Sequence, residues 1–137
     1  MLAVEPDPVA RAVAEQRAAE ASVPIEIVAA FAEKLSAQDR AFDATVAVWV
    51  LCNVPDPMAA LREIGRVPVP RGEFRFYEHV RSPHIAFRGL QRAIDSLYWT
   101  RALGSCQTTR DTERAIRAAG FHIVSLDEGG RNWVQLL

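Results

Sequence analysis

Phe42-Asp43-Ala44-Thr45-Val46-Ala47-Val48-Trp49-Val50-Leu51-Cys52-Asn53-Val54-Pro55-Asp56-Pro57 decides how the rest of the chain is read. From Asp43 to Leu51 it is rich in valine and nearly uninterrupted, the pattern of a parallel strand buried on both faces. Asp56 and Pro57 then supply a cap and a first helical residue, and the helix they start turns Leu61 and Ile64 inward. The N-terminus repeats the arrangement. Leu2-Ala3-Val4 is a short apolar strand ending in Glu5, Asp7 can cap and Pro8 can start a helix, and Val9, Ala10, Val13, Ala14, Ala18 and Ala21 recur at three and four.

Working outward, Pro24 to Ala30 reads as a second strand and Phe74 to Val80 as the one after the central run. A longer helix with Phe87, Leu90, Ile94, Leu97, Tyr98 and Arg101 on one stripe is expected to cover the strand ends. Thr108 or Thr109 can cap a further helix that carries Ala115, Ile116 and Ala119 and stops at Gly120. Phe121 to Leu126 is a strand, and Asn132 to Leu137 a marginal strand candidate. Alternation of this kind predicts an α/β protein, a mainly parallel sheet between helices in three layers. No internal repeat or low-complexity segment interrupts it.

The chain has 137 residues, half of them apolar, and a net charge of −1. That describes one globular domain, 1–137, and disfavours nucleic-acid binding, which uses clustered positive surface to neutralise phosphates. No apolar run reaches the roughly 18 to 20 residues that span a bilayer, and no basic-then-apolar leader follows Met1, so a cytoplasmic location is expected. Cys52 and Cys106 stand far apart and in no metal spacing, which favours reduced thiols and predicts no metal site. Fifteen of the 16 basic residues are arginine, a bias of the kind GC-rich bacterial genomes produce.

Several of these motifs, in this order, resemble the class I S-adenosylmethionine-dependent methyltransferases. They are the central run quoted above, Leu61-Arg62-Glu63-Ile64-Gly65-Arg66-Val67, and Pro70-Arg71-Gly72. The resemblance spans roughly residues 2 to 126. Leu51-Cys52-Asn53-Val54, Glu78-His79-Val80, and Trp99 leading into Gly104-Ser105-Cys106-Gln107-Thr108-Thr109-Arg110-Asp111-Thr112 are similar to the alkyl-thiol methyltransferase-like subgroup. Ser105 and Gln107 depart from that subgroup's Gly-Gly-Cys-His. The resemblance implies a Rossmann-like three-layer methyltransferase fold, S-adenosyl-L-methionine as cofactor, and methyl transfer to a small acceptor such as a thiol, hydroxyl or quinone-like compound.

It also implies roles for residues. Glu5, at the carboxyl end of the second strand of that fold, faces the ribose hydroxyls; read without the resemblance, it is an exposed acid favoured by a helix N-terminus. Phe31, Ala32 and Glu33 stand where the adenine is held, with Phe31 in place of the usual aspartate. Leu51, Cys52 and Asn53 lie at the carboxyl edge of the central strand, the edge where open α/β sheets bind ligands. Leu51 is assigned to the cofactor, Cys52 to the substrate side as a small buried thiol, and Asn53 to orienting the acceptor. His79 ends the next strand at the same edge, as an acceptor-side orienter or base or as a satisfied structural histidine. Cys106 and Gln107 join the acceptor pocket or its lid. His84 and His122 read as surface residues, and Tyr98 and Trp99 as lid packing.

The family's first strand and its Gly-x-Gly-x-Gly loop are not among the quoted motifs, so an N-terminally truncated, partial domain is expected. In that fold the first strand separates the second from the fourth. Without it two strand edges stand unpaired, and such edges invite self-association. The turn Val67 to Gly72 and the run Gly129 to Trp133 also depart from the family pattern. Two further readings stay open beside an active methyltransferase: a non-catalytic remnant or interaction module that needs a partner to complete its sheet, and a nicotinamide-dependent reductase. Asn53, Glu78-His79-Val80 and the Gly104 to Thr112 run argue against the reductase.

Overall fold

A computed structural model describes residues 1–79, 85–95, 106–126 and 132–136. Its elements are β1 (Leu2–Val4), α1 (Pro8–Ala19), β2 (Glu26–Val28), β3 (Phe42–Val48), α2 (Pro57–Arg66), β4 (Pro68–Tyr77), α3 (Ile85–Ile94), α4 (Thr112–Ala118), β5 (Phe121–Ser125) and β6 (Asn132–Leu136). The α/β class follows directly. β1 and β2 pair in parallel, Leu2 opposite Glu26 and Val4 opposite Val28. The other four strands form a sheet in the order β3-β4-β6-β5, parallel between β3 and β4 and antiparallel at both edges of β6. The marginal candidate at 132–137 is therefore an interior strand, held from both sides despite its short apolar run. Among the described residues β1 and β3 each keep one unpaired edge.

The helix starts follow the expected chemistry in two cases of three. Asp7 Oδ1 accepts the Val9 and Ala10 N–H groups at 2.9 and 2.8 Å, and Asp56 Oδ1 those of Met58 and Ala59 at 3.0 and 2.9 Å. Each aspartate satisfies donors that the first helical turn leaves open, with proline next to it where no donor is needed. α4 differs. Its cap is Asp111, whose side chain accepts the Arg114 N–H, because Thr108 and Thr109 are engaged by Asp95.

α2 presents Ala60, Leu61 and Ile64, and α4 presents Ile116, to Ala47, Leu51, Phe74, Phe76 and Phe121. Phe74, Leu51, Leu61 and Ile116 are almost fully buried, each worth about 1.5 to 3 kcal/mol of transfer free energy. The reading of residues 43–51 as buried on both faces is corrected here: Val46 and Val48 are 69% and 53% exposed. β3 has helices on one face only among the described residues. The strand also ends earlier than expected, at Val48. α1 likewise buries no residue fully.

At the start of β4 the chain loops out, so that Phe42 pairs with Pro68 while Ala44 pairs with Glu73. Gly72 closes that loop where nothing larger fits: a Cβ there would lie 2.7 Å from Pro68 Cβ and 2.8 Å from the Val69 carbonyl. Arg71 beside it takes a left-handed φ of 66°. The segment after β2 is strapped to α2, since the Leu35 N–H donates to Glu63 Oε2 and Arg66 donates to Glu63, Asp39 and the Ala37 carbonyl. The Asp56 N–H also reaches Glu33 Oε1 at 3.5 Å. The carboxyl ends of β2 and β3 thus lie on the same side of the molecule.

Candidate functional site at the carboxyl ends of the strands

Where β3 ends, Trp49 adopts a left-handed φ of 52° and the chain turns sharply through Val50 to Val54. The turn is built around a carboxylate. Glu78, just past β4, accepts the Val50 and Leu51 N–H groups on Oε1 at 2.8 and 2.9 Å and the Cys52 N–H on Oε2 at 3.1 Å. Asn53 donates from Nδ2 to the Trp49 carbonyl at 2.7 Å. From the other side Arg110 donates to the Leu51 and Val54 carbonyls, both at 2.6 Å, and to Gln107 Oε1. The Gln107 N–H closes the set on the Cys52 carbonyl at 2.8 Å. Asp95, at the end of α3, holds Thr108 and Thr109 by both their N–H and hydroxyl groups.

The consequence is that Cys52, Cys106 and His79 meet. Cys106 Sγ lies 3.3 Å from Cys52 Sγ and 3.3 Å from His79 Nδ1, and Cys52 Sγ lies 3.8 Å from the same nitrogen. Both thiols are buried and free, and the imidazole is half-buried beneath the near-parallel ring of Trp49, centroids 5.8 Å apart. Burial pushes the Cys52 thiol far above its ordinary range, helped by its hydrogen bond with Cys106 and the nearby Glu78 charge. Cys52 and Cys106, 54 residues apart in the chain and in no local metal spacing, are brought into contact by this packing.

The other expected site residues fall as follows. Asn53 and His79 both border the thiols. Gln107 is exposed beside them. Leu51 is buried with its N–H and C=O both taken, so it has only van der Waals contact to offer. Glu5 follows β1, its Oε1 accepting the Asp7 N–H at 2.9 Å. Phe31 is 64% exposed, and Ala32 packs against the core. Glu33 Oε2 is buried with no hydrogen-bond partner among the described residues. His122 is exposed on β5. His84, Leu97, Tyr98, Trp99, Arg101, Ser105 and Val80 lie outside the described residues. Sequence reasoning missed Glu78, Asp95 and Arg110 as the residues that shape the turn. It also missed a cleft of about 210 Å³ lined by Leu51, Pro57, Arg110, Asp111, Thr112 and Ala115.

Open α/β sheets bind ligands outside the carboxyl ends of their parallel strands, and this chain collects its acids, thiols and imidazole there. That arrangement defines a Rossmann-like ligand-binding fold. The chain belongs to the methyltransferase domain family, which matches residues 1–76, within the class I S-adenosylmethionine-dependent group, whose cofactor is S-adenosylmethionine. It is 34% identical over 89 residues to the thiol S-methyltransferase TMT1B of Rattus norvegicus, a match covering 65% of this chain and 36% of that protein. Against the thiol S-methyltransferase TMT1A of Homo sapiens the identity is 30% over 100 residues, covering 73% and 41%. The chain thus spans well under half the length of these relatives. Among solved structures, the (4+2)-cyclase SpnF is 26% identical with a TM-score of 0.71, over 90% of this chain and 43% of that one. A S-adenosylmethionine-dependent methyltransferase from Methanosarcina mazei, 19% identical with a TM-score of 0.69, covers 99% and 81% and shares the fold.

Proposed function

We propose that this chain serves methyl transfer from S-adenosylmethionine to a small thiol. The observation that carries the reading is the meeting of Cys52, Cys106, His79 and Asn53 at the carboxyl end of β3 and β4. Two thiols, an imidazole and an indole make a soft, polarizable wall that suits a sulfur acceptor. The thiol S-methyltransferases named above support the same choice of acceptor.

The adenosine end of the cofactor fits the acids. Glu33 Oε2 is a buried acceptor without a partner among the described residues, and we assign it the adenine amino group, with Phe31 and Ala32 flanking the base. Glu5 has one carboxylate oxygen on the Asp7 N–H, and its other oxygen is assigned to the ribose hydroxyls. When bound, the cofactor would supply a methyl group on its sulfonium: the acceptor sulfur would form the new C–S bond as the sulfonium C–S bond breaks to leave a neutral thioether, and the S–H proton would pass to solvent. In-line transfer needs alignment and exclusion of water more than acid–base chemistry, and alignment alone is worth effective molarities of roughly 10⁵ M or more. Asn53 and His79 are assigned to orient the acceptor, and the turn held by Glu78 keeps both in place.

The test uses the 137-residue chain with methyl-labelled S-adenosylmethionine at millimolar concentration and a small alkyl thiol or its hydroxyl analogue. Label is expected in the thiol well above the hydroxyl, with His79→Gln lowering turnover while cofactor affinity stays nearly unchanged. Equal labelling of both acceptors, or none with cofactor bound, overturns the reading; the second result would favour the non-catalytic module.

A further inference from the structure

We propose that Cys52, Cys106 and His79 Nδ1 form a three-ligand site for a thiophilic divalent metal ion, Zn²⁺ by preference, with a fourth coordination position open. Their ligand atoms all lie within 4.8 Å of one another. Zinc takes tetrahedral sets at about 2.3 Å from sulfur and about 2.0 to 2.1 Å from nitrogen. Such a set places two sulfurs about 3.8 Å apart and a sulfur and a nitrogen about 3.6 Å apart. The observed separations, 3.3 Å between the sulfurs and 3.3 and 3.8 Å to the nitrogen, need adjustments of about half an ångström or less. A disulfide would require the sulfurs to close to about 2.05 Å, more than twice that movement.

The surroundings support a cation. On binding, each thiol loses its proton to solvent, and two thiolates neutralise a divalent ion, which makes burial tolerable. Soft thiolates with one imidazole select zinc-like ions over magnesium or calcium. The backbones that carry the ligands are fixed in advance: Glu78 holds the Cys52 N–H, and the Gln107 N–H next to Cys106 holds the Cys52 carbonyl. Asn53 Nδ2 lies 3.7 Å from Cys52 Sγ, placed to donate to a bound thiolate, an outer-shell contact of the kind that tunes metal sites. The two thiols are buried while the imidazole is half-buried, so the ion and a fourth ligand approach from the His79 side. The site stands whether or not the chain transfers methyl groups, so its test and the methyl-transfer test fail independently.

The experiment is anaerobic titration of the reduced 137-residue chain with Co²⁺, followed by displacement with Zn²⁺. One equivalent is expected to give intense near-ultraviolet thiolate-to-cobalt charge transfer, of a strength that counts two thiolates, with the visible bands of tetrahedral cobalt. Zn²⁺ should bleach both. Cys52→Ser and Cys106→Ser should each remove about half the charge-transfer intensity. Each of these, and His79→Gln, should weaken binding by more than the roughly 10- to 100-fold that loss of an outer-shell partner causes. The wild-type spectrum alone decides the matter if a variant fails to fold. A weak octahedral spectrum, charge transfer from fewer than two thiolates, or tight binding that survives both serine substitutions overturns the proposal.

Discussion

Replacing Glu78 with glutamine should unlock the turn on which the whole site rests. In the parent, one carboxylate accepts three backbone N–H groups at 2.8, 2.9 and 3.1 Å, and hydrogen bonds to a charged group contribute about 1.5 to 3 kcal/mol each. A glutamine can keep its oxygen toward Val50 and Leu51, where the bonds become neutral ones of about 1 kcal/mol each. Its amide nitrogen then faces the Cys52 N–H, donor against donor, and that bond is lost. Glu78 is half-buried, so water recovers part of the difference, and a net loss of about 2 to 3 kcal/mol remains. For a domain of this size that lowers the melting temperature by roughly 10 °C. Urea unfolding reads it as a lower midpoint at unchanged slope, and thiol-reagent kinetics should show Cys52, fully buried in the parent, becoming reactive. Glu73→Gln is the control on the same strand: its carboxylate is 43% exposed in a pair with Arg75, and its loss should stay within about 0.5 kcal/mol. A Glu78→Gln chain that unfolds with the control and leaves Cys52 protected refutes the reasoning.

Three other outcomes follow from named contacts. Pairing with Arg66 holds the Glu63 carboxyl below the usual range despite burial, so the strap to Leu35 is intact above that range and lost as pH falls through the lowered value. The Leu35 amide shift should therefore titrate below the ordinary carboxylate range, and Arg66→Met should move that midpoint up; a midpoint already in the ordinary range speaks against the strap. Burial pushes the Asp95 carboxyl up, but bonds from Thr109 and Thr108 outweigh it and hold it down. Asp95→Asn should cost about 1 to 2 kcal/mol in urea unfolding, and an unchanged midpoint would show that the threonine turn stands without it. The assigned contacts reach only the adenosine end of the cofactor, so calorimetry on this chain should find binding weaker than low micromolar, and weaker still in Glu5→Ala; tight binding, or an Ala variant equal to the parent, contradicts the ribose assignment.

The parts of this architecture that sequence revealed are those with local causes. Asp7-Pro8 and Asp56-Pro57 announce helices because cap and first turn are neighbours in the chain. The α4 cap was displaced to Asp111 because Asp95, 13 residues before Thr108, competes for the threonines, and no local pattern shows that competitor. Val46 and Val48 read as core because apolar runs carry no information about which elements cover each face. The resemblance put Cys52, His79 and Cys106 on the acceptor side, but their direct contact was not legible for a similar reason: the 106–110 turn reaches the Cys52 turn through Gln107 and Arg110, and Glu78 holds that turn from a third segment. Glu78 itself lay inside a quoted motif, yet its partners are 26 to 28 residues upstream. Only the fold brings them into reach.

Amide chemical-shift mapping of the labelled chain, titrated with S-adenosylmethionine to millimolar concentration, tests most directly that these strand ends form the cofactor site. Saturable shifts are expected at Glu5 and Asp7, at Phe31 to Glu33, and in the Val50 to Asn53 turn, with β5 and the far end of α2 unmoved. Shifts confined to α4 and β5, or none anywhere at millimolar cofactor, would contradict it.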